Sequence, residues 1–216
     1  WSSDVCSSDL ILPATLKHLD DSALCVTYPQ YSAPGKYDLT FELSCPTYPT
    51  LGKDVYVEKK DFYDLAAMPI IVPSADNKAF RCNSNNADGI LYSEDGTTAY
   101  YSNGNSIIAE GTRIINGAFM ENGFFVDKIT LPATLDSIGD RAFANVIYLE
   151  DTGYYVETMT CYAPNPPKLG KDVFLNSIIY NMPVYVPSKS YDIYKTTEVW
   201  KDFDLRRLVD DGIEDI

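Results

Sequence analysis

The side chains able to do covalent or acid–base chemistry are few and far apart. His18 is the one histidine of the sequence, so a Ser-His-Asp or Cys-His arrangement has a single imidazole to draw on, and a histidine metal cluster lacks a second ligand of its kind. Paired carboxylates occur at Asp20-Asp21, Asp210-Asp211 and Glu214-Asp215. Adjacent acids in turns and tails are ordinarily solvated charge, whereas glycoside hydrolysis needs two carboxyls fixed on opposite sides of a bond. The segment SNNADGILYSED, Ser84 to Asp95, places Asn86, Asp88 and Gly89 where an EF-hand calcium loop puts ligands and its turn glycine. It opens on Ser where Asp belongs and closes on Asp where a bidentate Glu belongs, and its flanks read as strand, so a plain turn is expected. Cys25, Cys45, Cys82 and Cys161 form no CxxC pair and no zinc spacing. Cys45 and Cys161 read as equivalent, inward strand positions and are expected to be buried small apolar groups. A bridge between Cys25 and Cys82 stays open. No catalytic residue, metal or cofactor is expected.

With little reactive chemistry in the sequence, attention moves to surfaces and to the elements that build them. The chain has 216 residues, of which 45% are hydrophobic, enough for a packed core in one large domain or two small ones. Its formal net charge is -14, and no Lys/Arg stripe offsets it, which excludes a nucleic-acid partner. No apolar run approaches the roughly 18 residues of a membrane span. Seventeen Tyr against nine Phe fit exposed strands and ligand-facing surfaces.

An internal repeat organises the rest. LPATLKHLDDSAL at 12–24 aligns with LPATLDSIGDRAF at 131–143, LGKDVY at 51–56 with LGKDVF at 169–174, and IIVPS at 70–74 with VYVPS at 184–188, roughly 118 residues apart. Within the second copy IINGAF, SIGDRAF and LGKDVF end at Phe119, Phe143 and Phe174, in steps of 24 and 31 residues. A unit this short cannot bury its apolar side alone and must stack on its neighbours. The predicted architecture is an irregular, strand-dominated α/β solenoid with short helices, built from two copies of one module.

The strand signals place side chains on two faces. DLTFELSC at 38–45 turns Leu39, Phe41, Leu43 and Cys45 inward and Thr40, Glu42 and Ser44 outward. KITLP turns Lys128 and Thr130 outward, and ETMTC does the same with Thr158 and Thr160. Alternate side chains of stacked parallel strands line up in rows, so Thr40, Glu42, Ser44, Lys128, Thr130, Thr158 and Thr160 are the candidate ligand-binding residues. Thr is also a good strand former, and the same pattern satisfies β-propensity alone. DGILYSEDGTTAYYSNGN predicts a hairpin turning at Asp95-Gly96. VPSKSYDIYKTTEVWKDF predicts a strand end and a short helix, with Ser188 as its cap and Tyr191, Tyr194, Trp200 and Phe203 as an apolar stripe over the last open repeat.

ITLPATLDSIGDRAFAN, with its pattern I-x-LP-x-x-L-x-x-IG-x-x-AF, resembles the BspA-like, treponemal-type leucine-rich repeats of bacterial surface proteins. DGILYSEDGTTAYYSNG before it, and APNPPKLGKDVF and VYVPSKSYDIYKTTEVWKDF after it, extend the likeness over nearly all of 87–203. The first copy departs from the pattern, with Leu24 where the repeat has Phe and no Trp after Phe80. The resemblance implies an irregular solenoid with parallel strands, exported to the cell surface or secreted, and adhesion to a host or bacterial surface protein or a glycan. It also makes VDDGIEDI similar to the linker before a sorting segment.

The opening WSSDVCSSDL resembles something else. With one legal codon each it back-translates to TGG AGT TCA GAC GTG TGC TCT TCC GAT CT, the end of a widely used short-read sequencing adapter. Residues 1–10 are therefore expected to be an artefactual leader that packs against nothing, with the natural terminus lost and the export signal with it. The expected organisation is 1–10 leader, 11–86 a degenerate first leucine-rich-repeat module, 87–205 a second module, and 206–216 an acidic linker or tail. The expected function is non-enzymatic recognition or adhesion through the open sheet face. The alternatives are a purely structural spacer in a larger surface protein and a carbohydrate-active enzyme fragment.

Overall fold

A computed structural model describes residues 10–21, 23–24, 40–52, 55, 70–82, 89–121, 128–146, 158–177 and 182–209. Strands dominate it. In chain order they are β1 (Leu10–Leu12), β2 (His18–Leu19), β3 (Thr40–Leu43), β4 (Thr50–Leu51), β5 (Ile70–Pro73), β6 (Phe80–Cys82), β7 (Ile90–Ser93) and β8 (Thr98–Ser102). There follow β9 (Ile114–Ile115), β10 (Lys128–Leu131), β11 (Ser137–Ile138), β12 (Thr158–Cys161), β13 (Lys168–Leu169), β14 (Pro183–Pro187), the helix α1 (Tyr191–Tyr194) and β15 (Asp204–Leu208). Of the α/β expectation the strand-dominated part holds. The only α-helix among the described residues is one turn long, flanked by 3-10 turns at Ser188–Ser190 and Trp200–Asp202.

The strands form several sheets without a closed barrel among the described residues. Parallel ladders run β1-β3-β5, β2-β4 and β10-β12-β14-β15. The sheet β13-β11-β9-β8-β7-β6 is parallel up to β8 and antiparallel beyond it. Successive turns are bonded to one another as well: Ala118 N donates to Asp140 O (2.9 Å), Met120 N to Ala142 O (2.7 Å), Arg141 N to Lys171 O (2.9 Å), Phe143 N to Val173 O (2.9 Å) and Asn145 N to Leu175 O (2.7 Å). Close stacking explains the glycines before these turns. A Cβ on Gly139 would lie 2.5 Å from Gly117 N, and one on Gly170 would lie 2.7 Å from Asp140 N.

The hairpin falls where Asp95-Gly96 predicted it. β7 and β8 pair antiparallel with an irregularity between Leu91 and Tyr92, and Gly96 takes φ +74°. The Asp95 carboxylate accepts hydrogen bonds from Ser93 Oγ (2.7 Å), Thr97 N (2.9 Å) and Thr97 Oγ1 (2.8 Å). These bonds, led by that from Ser93, hold its pKa down at about 2. The rest of the calcium-like spacing, Ser84 to Asp88, lies outside the described residues. Buried on both faces, the hairpin sends Ile90 and Tyr92 into one hydrophobic cluster and Leu91 and Tyr101 into another. The first cluster carries a run of rings in which Phe143 sits 5.8 Å from both Phe119 and Phe174, and Phe174 sits 5.3 Å from Phe203.

Several details differ from the sequence expectations. Cys45 and Cys161 are both buried but are not counterparts: Cys161 pairs with Leu131 at the end of β12, whereas the residue paired with Leu12 at the end of β3 is Leu43. Cys45 lies two residues farther on, donating through Sγ to Pro13 O (3.0 Å). Ser188 does not cap the helix; its hydroxyl donates to Leu208 O, because β15 runs alongside. The aromatic stripe does cover the stack, with Tyr194 Oη donating to Ala163 O (2.9 Å) and Trp200 Nε1 to Pro167 O (3.0 Å). It is not the last layer, since β15 adds a parallel strand to β14 and carries the sheet to Leu208, past the expected boundary at 205. At the other end Leu10, the last residue of the expected leader, does not stand apart as expected: it is the first residue of β1 and pairs with Phe41, while residues 1–9 lie outside the described residues. Cys25 lies outside the described residues, and the bridge to Cys82 with it.

Candidate functional site

Four of the seven candidate residues come together on β10 and β12. The parallel register sets Lys128 beside Thr158 and Thr130 beside Thr160, while Ile129, Met159, Leu131 and Cys161 on the alternate face are fully buried. Lys128 is exposed and the three threonines are half-buried. The row through Thr130 continues in both directions. Ile107, 62% exposed, bridges to Thr130 on one side, and on the other Thr160 pairs with Tyr185 and Tyr185 with Arg206. The result is one line of side chains, Ile107, Thr130, Thr160, Tyr185 and Arg206, crossing the sheet. Ser106 fixes its near end by donating its hydroxyl to Lys128 O, with backbone bonds from Thr130 N to Ser106 O (2.8 Å) and from Ile108 N to Thr130 O (3.0 Å).

The remaining three candidates lie elsewhere. Glu42 belongs to β3 in a different sheet, half-buried between Ile11 and Val72 of its neighbouring strands. Ser44 follows the end of β3, and Thr40 is its first residue. The sheets β1-β3-β5 and β10-β12-β14-β15 share no strand. The seven positions therefore lie in or beside two sheets rather than one.

Sequence reasoning missed Ile107, Tyr185 and Arg206. The alternation Val184-Tyr185-Val186 carried the signal for Tyr185, since its two neighbours are fully buried. Arg206 sits in DLRRL, a segment with no clean alternation. Its guanidinium bonds Asp204 through Nε (3.2 Å) and a terminal nitrogen (2.8 Å), and this hydrogen bonding to Asp204 raises its pKa further. Thr hydroxyls, a phenol and a guanidinium give the row donors and acceptors for polar contacts, bounded by the apolar Ile107. His18 is exposed on β2 with Nε2 3.1 Å from Asp20 Oδ1, away from these positions. Among the described residues no three His, Cys, Asp or Glu side chains gather as metal ligands, and no helix is long and apolar enough to cross a membrane.

No family model and no curated protein sequence matches the chain. Among solved structures it is similar to one described as the crystal structure of the pneumococcal vaccine antigen PcpA, with a TM-score of 0.45 and 18% sequence identity over 85% of this chain and 52% of that one. The chain thus spans about half the length of the solved protein it matches.

Proposed function

We propose that this chain is a non-enzymatic recognition module of an exported bacterial surface protein, a BspA-like leucine-rich-repeat solenoid of two modules that holds a macromolecule or glycan on its open sheet face. Corresponding backbone bonds support the two-module reading. Leu16 N to Pro13 O (3.0 Å) has its counterpart in Leu135 N to Pro132 O (3.2 Å), Thr50 N to Lys17 O (3.0 Å) in Lys168 N to Asp136 O (2.9 Å), and Gly52 N to Leu19 O (2.7 Å) in Gly170 N to Ile138 O (2.8 Å). Leu24 N to Val55 O (2.8 Å) likewise matches Phe143 N to Val173 O (2.9 Å).

The observation that carries the binding reading is the in-register row Ile107, Thr130, Thr160, Tyr185 and Arg206, drawn from four strands and a bridge. A ligand laid across it meets every strand of the sheet at once. The spacer reading has its own support: Thr130, Thr158 and Thr160 are half-buried, and Thr at such positions serves strand formation by itself. The two separate in a binding assay on cells and matrix proteins with the double variant Thr130→Lys/Thr160→Glu. Loss of binding with an unchanged circular dichroism spectrum is expected. Binding that survives the double variant removes the strand face from consideration.

A further inference from the structure

A concave surface lies away from the strand rows. The segment from Pro46 to Leu51 faces the turns that carry Asn116 to Ala118 and Asp140-Arg141, and between them runs a groove of about 660 Å³. That is within the roughly 300–1,000 Å³ of small-ligand sites. None of the seven strand-face candidates lines it.

One wall of the groove is aromatic. Tyr48 and Tyr100, both half-buried, stack with ring centroids 5.2 Å apart at 24°, and Phe80 stands edge-on to each at 6.3 and 5.2 Å. The opposite wall is polar and held in place. The Glu121 side chain, 6% exposed, forms an ion pair with the Arg141 guanidinium, whose Nε is buried without a hydrogen-bond partner among the described residues. Asp140 beside it accepts a hydrogen bond from Lys171 N (2.7 Å). A wall of packed aromatic rings beside fixed donors and acceptors is complementary to a ligand that carries a C–H face and a rim of hydroxyls together.

We propose that this groove binds a neutral oligosaccharide, with a sugar ring against Tyr48 and Tyr100 and its hydroxyls toward Arg141 and Asp140. Charge excludes the acidic sugars: the one cation among the described residues that line the groove is already paired with Glu121, Asp140 adds a second carboxylate, and the whole chain carries -14. Ring spacing excludes an ammonium cage, since rings 5.2 Å apart leave no room for a cation between them. The assignment rests on the recognition reading only in treating the chain as a binder, and it uses a surface that the strand-face variants do not touch.

The test uses the full chain on an array of neutral, sialylated and uronic-acid oligosaccharides and unmodified peptides, followed by calorimetric titration with the best neutral oligosaccharide. Neutral glycans should be bound in preference to the others. Thr47→Trp, which fills the groove from an exposed position, and Tyr48→Ala should each weaken binding at least 10-fold, while Lys201→Ala, an exposed change outside the groove, leaves it unchanged. Should Tyr48→Ala misfold, Thr47→Trp still decides. The proposal is overturned if no neutral oligosaccharide binds, if acidic glycans or peptides bind better, if Thr47→Trp has no effect, or if the strand-face double variant abolishes the signal. The last of these outcomes moves the ligand to the strand face and leaves the recognition reading standing.

Discussion

Truncating Phe143 to Ala tests whether the stacked rings are the spine of the larger hydrophobic cluster. Phe143 is 0% exposed and lies between Phe119, which meets it edge-on at 70°, and Phe174, which stacks at 12°. Removing the ring takes away roughly 150 Å² of buried apolar surface, worth about 4 kcal/mol at ~25 cal/mol per Å². Two aromatic pairs are lost with it, at about 0.5–1.5 kcal/mol each, and these overlap with the cavity left behind. Large-to-small changes of this kind cost about 3–5 kcal/mol, so a loss near the upper end is expected. Phe119→Ala should cost about 1 kcal/mol less, because among the described rings Phe119 pairs with Phe143 alone. Urea unfolding followed by circular dichroism reads both, with the midpoint falling and the slope unchanged. A Phe143→Ala cost below about 2 kcal/mol, or an additive Phe119/Phe143 double variant, would refute the ring stack as a coupled core.

Two further outcomes follow from the turns. The Asp95 carboxyl titrates near 2 in the folded chain, below the ~3.9 of an unfolded aspartate, so the stabilisation it confers is complete above about pH 4 and is lost as pH falls through 2. Asp95→Asn should therefore flatten the acid limb of the stability curve between pH 4 and 2, and a carbon-detected titration that finds Asp95 near 4 would contradict the hydrogen-bonded turn. Gly139→Ala should lower stability by about 1–3 kcal/mol, because the new Cβ meets backbone, Gly117 N at 2.5 Å and Asn116 C at 2.8 Å, rather than a side chain able to swing away. A thermal midpoint unchanged within error would show that neighbouring turns separate more easily than their bonding indicates.

Local chemistry was legible wherever it decided the local structure. Asp95-Gly96 set the hairpin because few dipeptides tolerate its turn, and the alternation around Ile129 and Met159 set which faces of β10 and β12 are buried. The relation between distant segments was less legible. Cys45 was matched to Cys161 by residue type, whereas the register that puts Leu43 in that place depends on where β3 starts pairing with β1. β15 was missed because Asp204, Arg206 and Arg207 carry no apolar period, and they need none on an edge strand: Arg207 lies 4.2 Å over the Tyr191 ring and Arg206 pairs with Asp204. Asn77 carried no signal either, although its side chain donates to Leu43 O (3.0 Å) and Cys45 O (3.2 Å) and accepts from Ala79 N (2.8 Å), joining the end of β3 to β6. The groove could not be read at all, since its walls come from residues near 48 and residues near 141.

The parallel ladder β10-β12-β14-β15 has a mechanical meaning. Its interstrand hydrogen bonds point from each strand to the next, so tension applied across the sheet from the Val209 end loads β15 first and the strands behind it only afterwards. Bonds loaded one strand at a time peel rather than shear, and the resisting force is that of one strand, however many stand behind it. The bonds that tie Trp200 to Pro167 and Tyr194 to Ala163 involve no residue of β15, so lengthening at that edge need not break them.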